Sequence, residues 1–132
     1  MSHTPTVAQE LHQIGAVADR VGLSLRTIRH YDEVGLVVPS GRSAGGFRLY
    51  TDADIDLLAQ VKSMKPLGFS LEETREILDS RAAIVERSAG PEVLARMTEF
   101  ASRASERCQQ LAEQLEGARS LSDDLVRLAG SD

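Results

Sequence analysis

The sequence predicts a mainly α-helical protein: a small helical unit carrying a short β-hairpin, followed by one long helix suited to a coiled coil. Three observations predict it. Apolar residues recur at helical spacing in short runs broken by Gly and Pro, a Gly-rich turn lies between two strand-like runs, and the C-terminal part carries an apolar seven-residue repeat.

The first helix is expected over Ile14–Val21, with Ile14, Val17, Ala18 and Val21 at i, i+3, i+4 and i+7. Gly22 supplies the left-handed residue that closes it. Ser24 is a natural N-cap for a second helix, Leu25 to about Val34, which Gly35 ends. Leu36–Val38 is a strand-like run stopped by Pro39. Ser40–Gly46 gathers Gly and Ser around Arg42 and reads as a turn, with Phe47–Tyr50 as the returning strand. Thr51 or Asp52 caps a third helix, in which Ile55, Leu58, Val61 and Lys62 follow a helical period until Pro66 and Gly68 break it. Ser70 and Glu73 form a capping box for a fourth helix, Leu71 to about Ser80, whose core face is Leu71, Thr74, Ile77 and Leu78.

Pro91 suits the first position of the long helix, expected to run to about Leu128. Leu94, Ala101, Cys108, Leu115 and Ser122 repeat every seven residues, and Met97, Ala104, Leu111, Ala118 and Leu125 repeat three places on. At ~1.5 Å per residue such a helix is roughly 55 Å long. It cannot bury that stripe within so small a unit, and the same helix from a second copy is the simplest partner. The expected dimerisation residues are Leu94, Met97, Ala101, Ala104, Cys108, Leu111, Leu115, Ala118 and Leu125. Periodicity alone leaves parallel and antiparallel pairing open. The organisation expected is a flexible polar leader over 1–12, a compact domain over 13–80, a linker over 81–90, the dimerisation helix over 91–129 and a tail over 130–132.

The formal net charge of −5 argues at first against nucleic acid, but its distribution matters more than its sum. Residues 1–69 carry seven Lys/Arg and seven Asp/Glu, whereas 70–132 carry eight and thirteen. Arg20–Tyr50 holds five Arg against Asp32 and Glu33. That asymmetry suits a local phosphate-binding surface on an acidic molecule. No apolar run approaches the ~18 residues of a membrane span, and the leader lacks the apolar block of a secretory signal. A cytoplasmic location is expected. The single Cys excludes an intrachain disulfide, and His3, His12 and His30 form no ligand spacing, so neither metal nor cofactor is expected. No nucleophile with a base, phosphate loop or metal spacing points to an enzyme.

Helix, Gly-containing turn and capped second helix outline a helix-turn-helix. On the second helix Leu25, Ile28 and Asp32 share one side, and Arg26, Thr27, His30 and Glu33 point away. Arg, Thr and His on such a face offer hydrogen bonds to base edges and phosphates in a major groove. Arg29 and Tyr31 lie at its edge. Arg42, Arg48 and Tyr50 flank a hairpin that reads as a wing touching backbone or minor groove. Lys62, late in the third helix, adds a candidate phosphate contact.

Three segments carry a resemblance: Ile14-Gly15-Ala16-Val17-Ala18, Thr27-Ile28-Arg29-His30-Tyr31-Asp32 and Gly35-Leu36-Val37-Val38-Pro39. Together they resemble the DNA-binding domain of the MerR family of regulators. Gly46-Phe47-Arg48-Leu49-Tyr50-Thr51 resembles its wing, and Leu67-Gly68-Phe69-Ser70-Leu71-Glu72-Glu73 its helix-joining motif. The resemblance implies a winged helix-turn-helix that dimerises through an antiparallel coiled coil on a pseudo-palindromic operator in double-stranded promoter DNA. It also implies that the dimer bends and untwists that DNA, acting on RNA polymerase indirectly. The positions matching the family's DNA contacts are Arg26, Thr27, Arg29, His30, Tyr31, Arg42, Arg48 and Tyr50. His30 stands where members often have a second Tyr, and Phe47 where a wing Tyr is common.

Family members usually sense a signal beyond the coiled coil, and this sequence reaches only Ala129-Gly130-Ser131-Asp132. The alternatives are therefore an architectural DNA-binding protein without inducer, a sensor of a small ligand bound near Ile84–Phe100, or a thiol switch. Cys108 at an a position reads first as a small core residue. The helix midpoint falls near Gln109–Gln110, so in an antiparallel pair two copies of Cys108 would meet only if the two-fold axis lies close to that midpoint.

Overall fold

The computed structural model describes residues 10–131 and holds three short strands and five helices there. In chain order these are β1 (His12–Gln13), α1 (Ile14–Val21), α2 (Leu25–Glu33), β2 (Gly41–Arg42), β3 (Arg48–Tyr50), α3 (Asp52–Met64), α4 (Leu71–Val85) and α5 (Pro91–Ala129). The fold is mainly helical, with a small antiparallel sheet and one long helix, as the apolar periods predict. The chain divides into two compact units, one ending at Pro66 and the other beginning at Leu67.

The first unit is built around Val17 of α1, Ile28 of α2, Val37, Tyr50 of β3, and Ile55, Leu58 and Val61 of α3, all buried. Local chemistry explains where its helices begin and end. Gly22 takes φ 77° and its N–H donates to the Ala18 carbonyl over 2.8 Å, closing α1. The Ser24 hydroxyl accepts from the Thr27 N–H at 3.1 Å and starts α2. Of the two caps expected for α3, Thr51 is the one used. It forms a capping box with Asp54, each side chain accepting from the other's backbone N–H.

The sheet departs from expectation in two places. The predicted strand over Leu36–Val38 does not form: the N–H groups of Leu36 and Val37 both donate to the Tyr31 carbonyl at the end of α2, and Pro39 has no N–H. The strand that pairs is β2, with Gly41 opposite Leu49 and Arg42 opposite Arg48. His12, expected in the leader, instead lies in β1, paired with Tyr50, so β3 is the central strand. The rest of the expected leader up to residue 9, including His3, lies outside the described residues, as does Asp132 of the tail.

In the second unit Ser70 and Glu73 form the expected capping box. The helix α4 runs to Val85, five residues beyond Ser80, and stops where Arg87 takes φ 60° and the Ser88 N–H turns back to the Ala83 carbonyl over 2.8 Å. Of its expected core face Thr74 is buried and Leu71 is exposed. Phe100 of α5 is buried and meets Phe69 edge-on, with ring centroids 5.6 Å apart at 88°. Arg96 lies 4.4 Å over the Phe100 ring and donates to Glu76 at 2.8 Å, and Arg103 pairs with Glu73. A helix of 39 residues spans about 58 Å. Among the described residues no helix is long and apolar enough to cross a membrane, and no cluster of three metal-ligating side chains occurs.

Candidate nucleic-acid interface

The helix α2 presents its polar face to solvent. Arg26, Arg29 and His30 are exposed, while Thr27 and Tyr31 are half-buried at its margins. The Thr27 hydroxyl accepts from Ser24 at 2.8 Å, which fixes its rotamer at the first turn. The rings of His30 and Tyr31 sit 6.2 Å apart at 45°. The side chains of Arg26 and Arg29 have no hydrogen bond or ion pair among the described residues. Arg29, placed by periodicity near the packed side, thus stands free in solvent.

The hairpin of β2 and β3 turns through Ser43–Gly46. Ser43 and Phe47 exchange backbone and hydroxyl hydrogen bonds, and Gly46 takes φ 81°, where a side chain would be strained. Phe47 is 69% exposed at the tip. The hairpin is tied to α2 by one carboxylate. Asp32 Oδ2 accepts from Arg48 Nε at 2.6 Å and from Arg42 Nη2 at 3.2 Å, with only 12% of the Asp32 side chain exposed. Arg42 Nη1 also donates to the Gly46 carbonyl at 3.3 Å, bracing the turn. The hydrogen bond to Asp32 raises the Arg48 guanidinium above its ordinary pKa.

A second carboxylate anchors the base of the hairpin. Asp54 Oδ2 accepts from the Ser40 hydroxyl at 2.6 Å, the Ser40 N–H at 3.1 Å and the Thr51 N–H at 3.0 Å. The residues just before β2 and just after β3 are therefore held by the same oxygen.

Residues 13–81, just over half of the chain, match the MerR HTH regulatory protein family. The chain belongs to that family. The transcriptional activator TipA of Streptomyces coelicolor is 47% identical over 72 residues, which are 54% of this chain and 28% of TipA. The chain therefore spans well under half the length of that relative. A MerR-family transcriptional regulator from Bacillus cereus has a similar structure, with a TM-score of 0.56 at 34% identity over 89% of this chain and 81% of that one. So does MtaN, the N-terminal part of the Bacillus subtilis multidrug transporter activator, with a TM-score of 0.56 at 31% identity over 86% of this chain and 97% of that one.

Two residues expected on the DNA face of this MerR-family chain sit elsewhere. Tyr50 is fully buried, its hydroxyl enclosed without a hydrogen-bond partner, and burial pushes its phenol above the ordinary pKa. It supports the hairpin from beneath and presents no hydroxyl. Lys62 is exposed, but its Nζ donates to the Val21 carbonyl at 2.9 Å, 2.7 Å from where a Cβ on Gly22 would lie. The ammonium sits at the negative end of α1, where a cation is favoured. Arg20 is likewise occupied: with His12 it bonds Asp52, and the His12 contact first, then Arg20, lowers the Asp52 pKa.

In the long helix the seam residues Leu94, Ala101, Cys108, Leu115, Ala118 and Leu125 are exposed in the single chain, while Met97, Ala104 and Leu111 are half-buried. Phe100 lies outside that seam. An aromatic one place before an a position, flanked by Arg96 and Arg103, was the sequence signal that α5 has a second apolar contact. The Asp32 link also had a signal: a carboxylate four and seven residues from the apolar positions Ile28 and Leu25 on one helix side needs a cationic partner.

Proposed function

We propose that this chain is a transcriptional regulator that binds double-stranded promoter DNA as a homodimer. Residues 13–80 act as the DNA-binding domain and 91–129 as the dimerisation helix. Arg26, Thr27, Arg29, His30 and Tyr31 of α2 enter the major groove, and Arg42 and Arg48 of the wing meet the backbone. The observation that carries this reading is the pair Arg26 and Arg29, exposed and without an ion pair among the described residues, although the protein as a whole is acidic. Free guanidiniums on a capped helix beside a braced wing form a local cationic surface that releases counterions on meeting phosphate.

Two copies of α5 pair antiparallel through the Leu94–Leu125 seam, most of which one chain leaves exposed. Two readers then face a pseudo-palindromic operator. Bending and untwisting of that operator control RNA polymerase indirectly. TipA and MtaN, named as activators, are consistent with a positive regulator.

The test uses a duplex enriched from a random pool by the protein itself, titrated by fluorescence anisotropy across a salt series. Arg26→Ala and Arg29→Ala should each weaken binding and reduce the slope of log affinity against log salt by about one. Wild-type affinity and slope in both variants would overturn the assignment. Leu111→Asp places a charge in the seam and should yield monomers in sedimentation; a persisting dimer would rule out this interface.

A further inference from the structure

We infer that Asp32 is a specificity-determining positioning residue: it locks the wing to the reader helix and aims the terminal nitrogens of Arg48 at a DNA phosphate. The inference rests on the DNA-binding reading above and deepens it.

A carboxylate beside a DNA-reading helix face needs a reason. It repels phosphate, and in the last turn of a helix it opposes the macrodipole. Asp32 is the second-to-last residue of α2. Its partners supply the reason, and they are bound differently. Arg42 is engaged at both ends of its guanidinium, Nη2 on Asp32 and Nη1 on the Gly46 carbonyl, so it braces the wing turn. Arg48 is held through Nε alone, at 2.6 Å, and its two Nη atoms have no partner among the described residues.

An arginine held at Nε keeps one Nη edge of its planar fork open, the geometry suited to a phosphate. Asp32 thereby orients that cation before DNA arrives, so less side-chain freedom is lost on binding. Because Asp32 belongs to α2, the phosphate that Arg48 meets is set at a fixed distance from the bases that α2 meets. Phosphate contacts carry no sequence information themselves, but they set the register in which bases are read. Rigid coupling of wing to reader turns a phosphate contact into discrimination, since a non-cognate site cannot satisfy both at once.

The experiment measures discrimination, the ratio of affinities for the enriched duplex and a scrambled duplex of the same composition, together with the salt slope on the enriched duplex. Asp32→Asn keeps the shape and removes the charge. It should lower discrimination about ten-fold and flatten the slope by about one, and Arg48→Ala should do the same. The double variant should be no worse than either single one, because both remove the same oriented contact. Arg48→Lys keeps the cation but cannot bridge two anions through one planar group, and should lose discrimination similarly. It also serves if Asp32→Asn does not fold by circular dichroism. Wild-type discrimination and slope in either folded variant, or fully additive losses in the double variant, would overturn the inference. A wild-type protein unable to distinguish the two duplexes would instead overturn the DNA-binding reading.

Discussion

Removing the Asp54 carboxylate should destabilise the first unit far more than loss of a helix cap alone. Asp54 is 8% exposed, and its Oδ2 accepts three hydrogen bonds. In Asp54→Ala the Thr51 N–H, at a buried residue, loses its partner, which costs about 1–3 kcal/mol. The two Ser40 donors belong to an exposed residue that water can reach, so each contributes nearer ~0.5 kcal/mol. The sum is about 3 kcal/mol, against ~1 kcal/mol for a cap on its own. Thermal unfolding followed by circular dichroism should show a midpoint lowered by roughly 12–24 °C, and urea unfolding a lower midpoint as well. Ser40→Ala removes the hydroxyl bond alone and should cost about 0.5 kcal/mol, and in the double variant much of that should vanish, because the two side chains share one bond. If Asp54→Ala costs under about 1 kcal/mol, the carboxylate is a simple cap and the hairpin base is held by something else.

Two further outcomes concern the second unit. Arg87 has φ 60° where α4 ends, so Arg87→Gly should raise stability by about 0.5–1 kcal/mol, the relief of left-handed strain less the added freedom of the unfolded chain; an unchanged or lower denaturation midpoint would contradict this. Arg103 first, then the Ser70 backbone, holds the Glu73 pKa at about 2, below its ordinary value of 4.5. A depressed carboxylate stabilises the folded state above its unfolded pKa, so this contribution should be complete above pH 4.5 and disappear as pH falls to about 2. Arg103→Ala should flatten stability against pH across that window, and parallel profiles for the two proteins would refute the pairing.

The sequence by itself determined everything governed by neighbours along the chain. The closure of α1 at Gly22, the caps at Ser24, Thr51 and Ser70, and the start of α5 at Pro91 depend on side chains within a few residues of the backbone they satisfy. The exposure of Arg26 and His30 on α2 follows from period alone, whereas that of Arg29 does not. Tertiary structure decided what depends on residues far apart in sequence. Leu36–Val38 looked like a strand until its N–H groups were spent on Tyr31, and His12 looked like leader until β3 offered an edge. Tyr50 and Lys62 carry the chemistry of DNA contacts, yet one is enclosed by the core and the other caps a helix 41 residues away. Asp32 and Asp54 show the reason most directly. A carboxylate announces its charge in the sequence, but its role is set by which donors the fold brings to it, and those lie 10 and 16 residues away for Asp32 and 14 for Asp54.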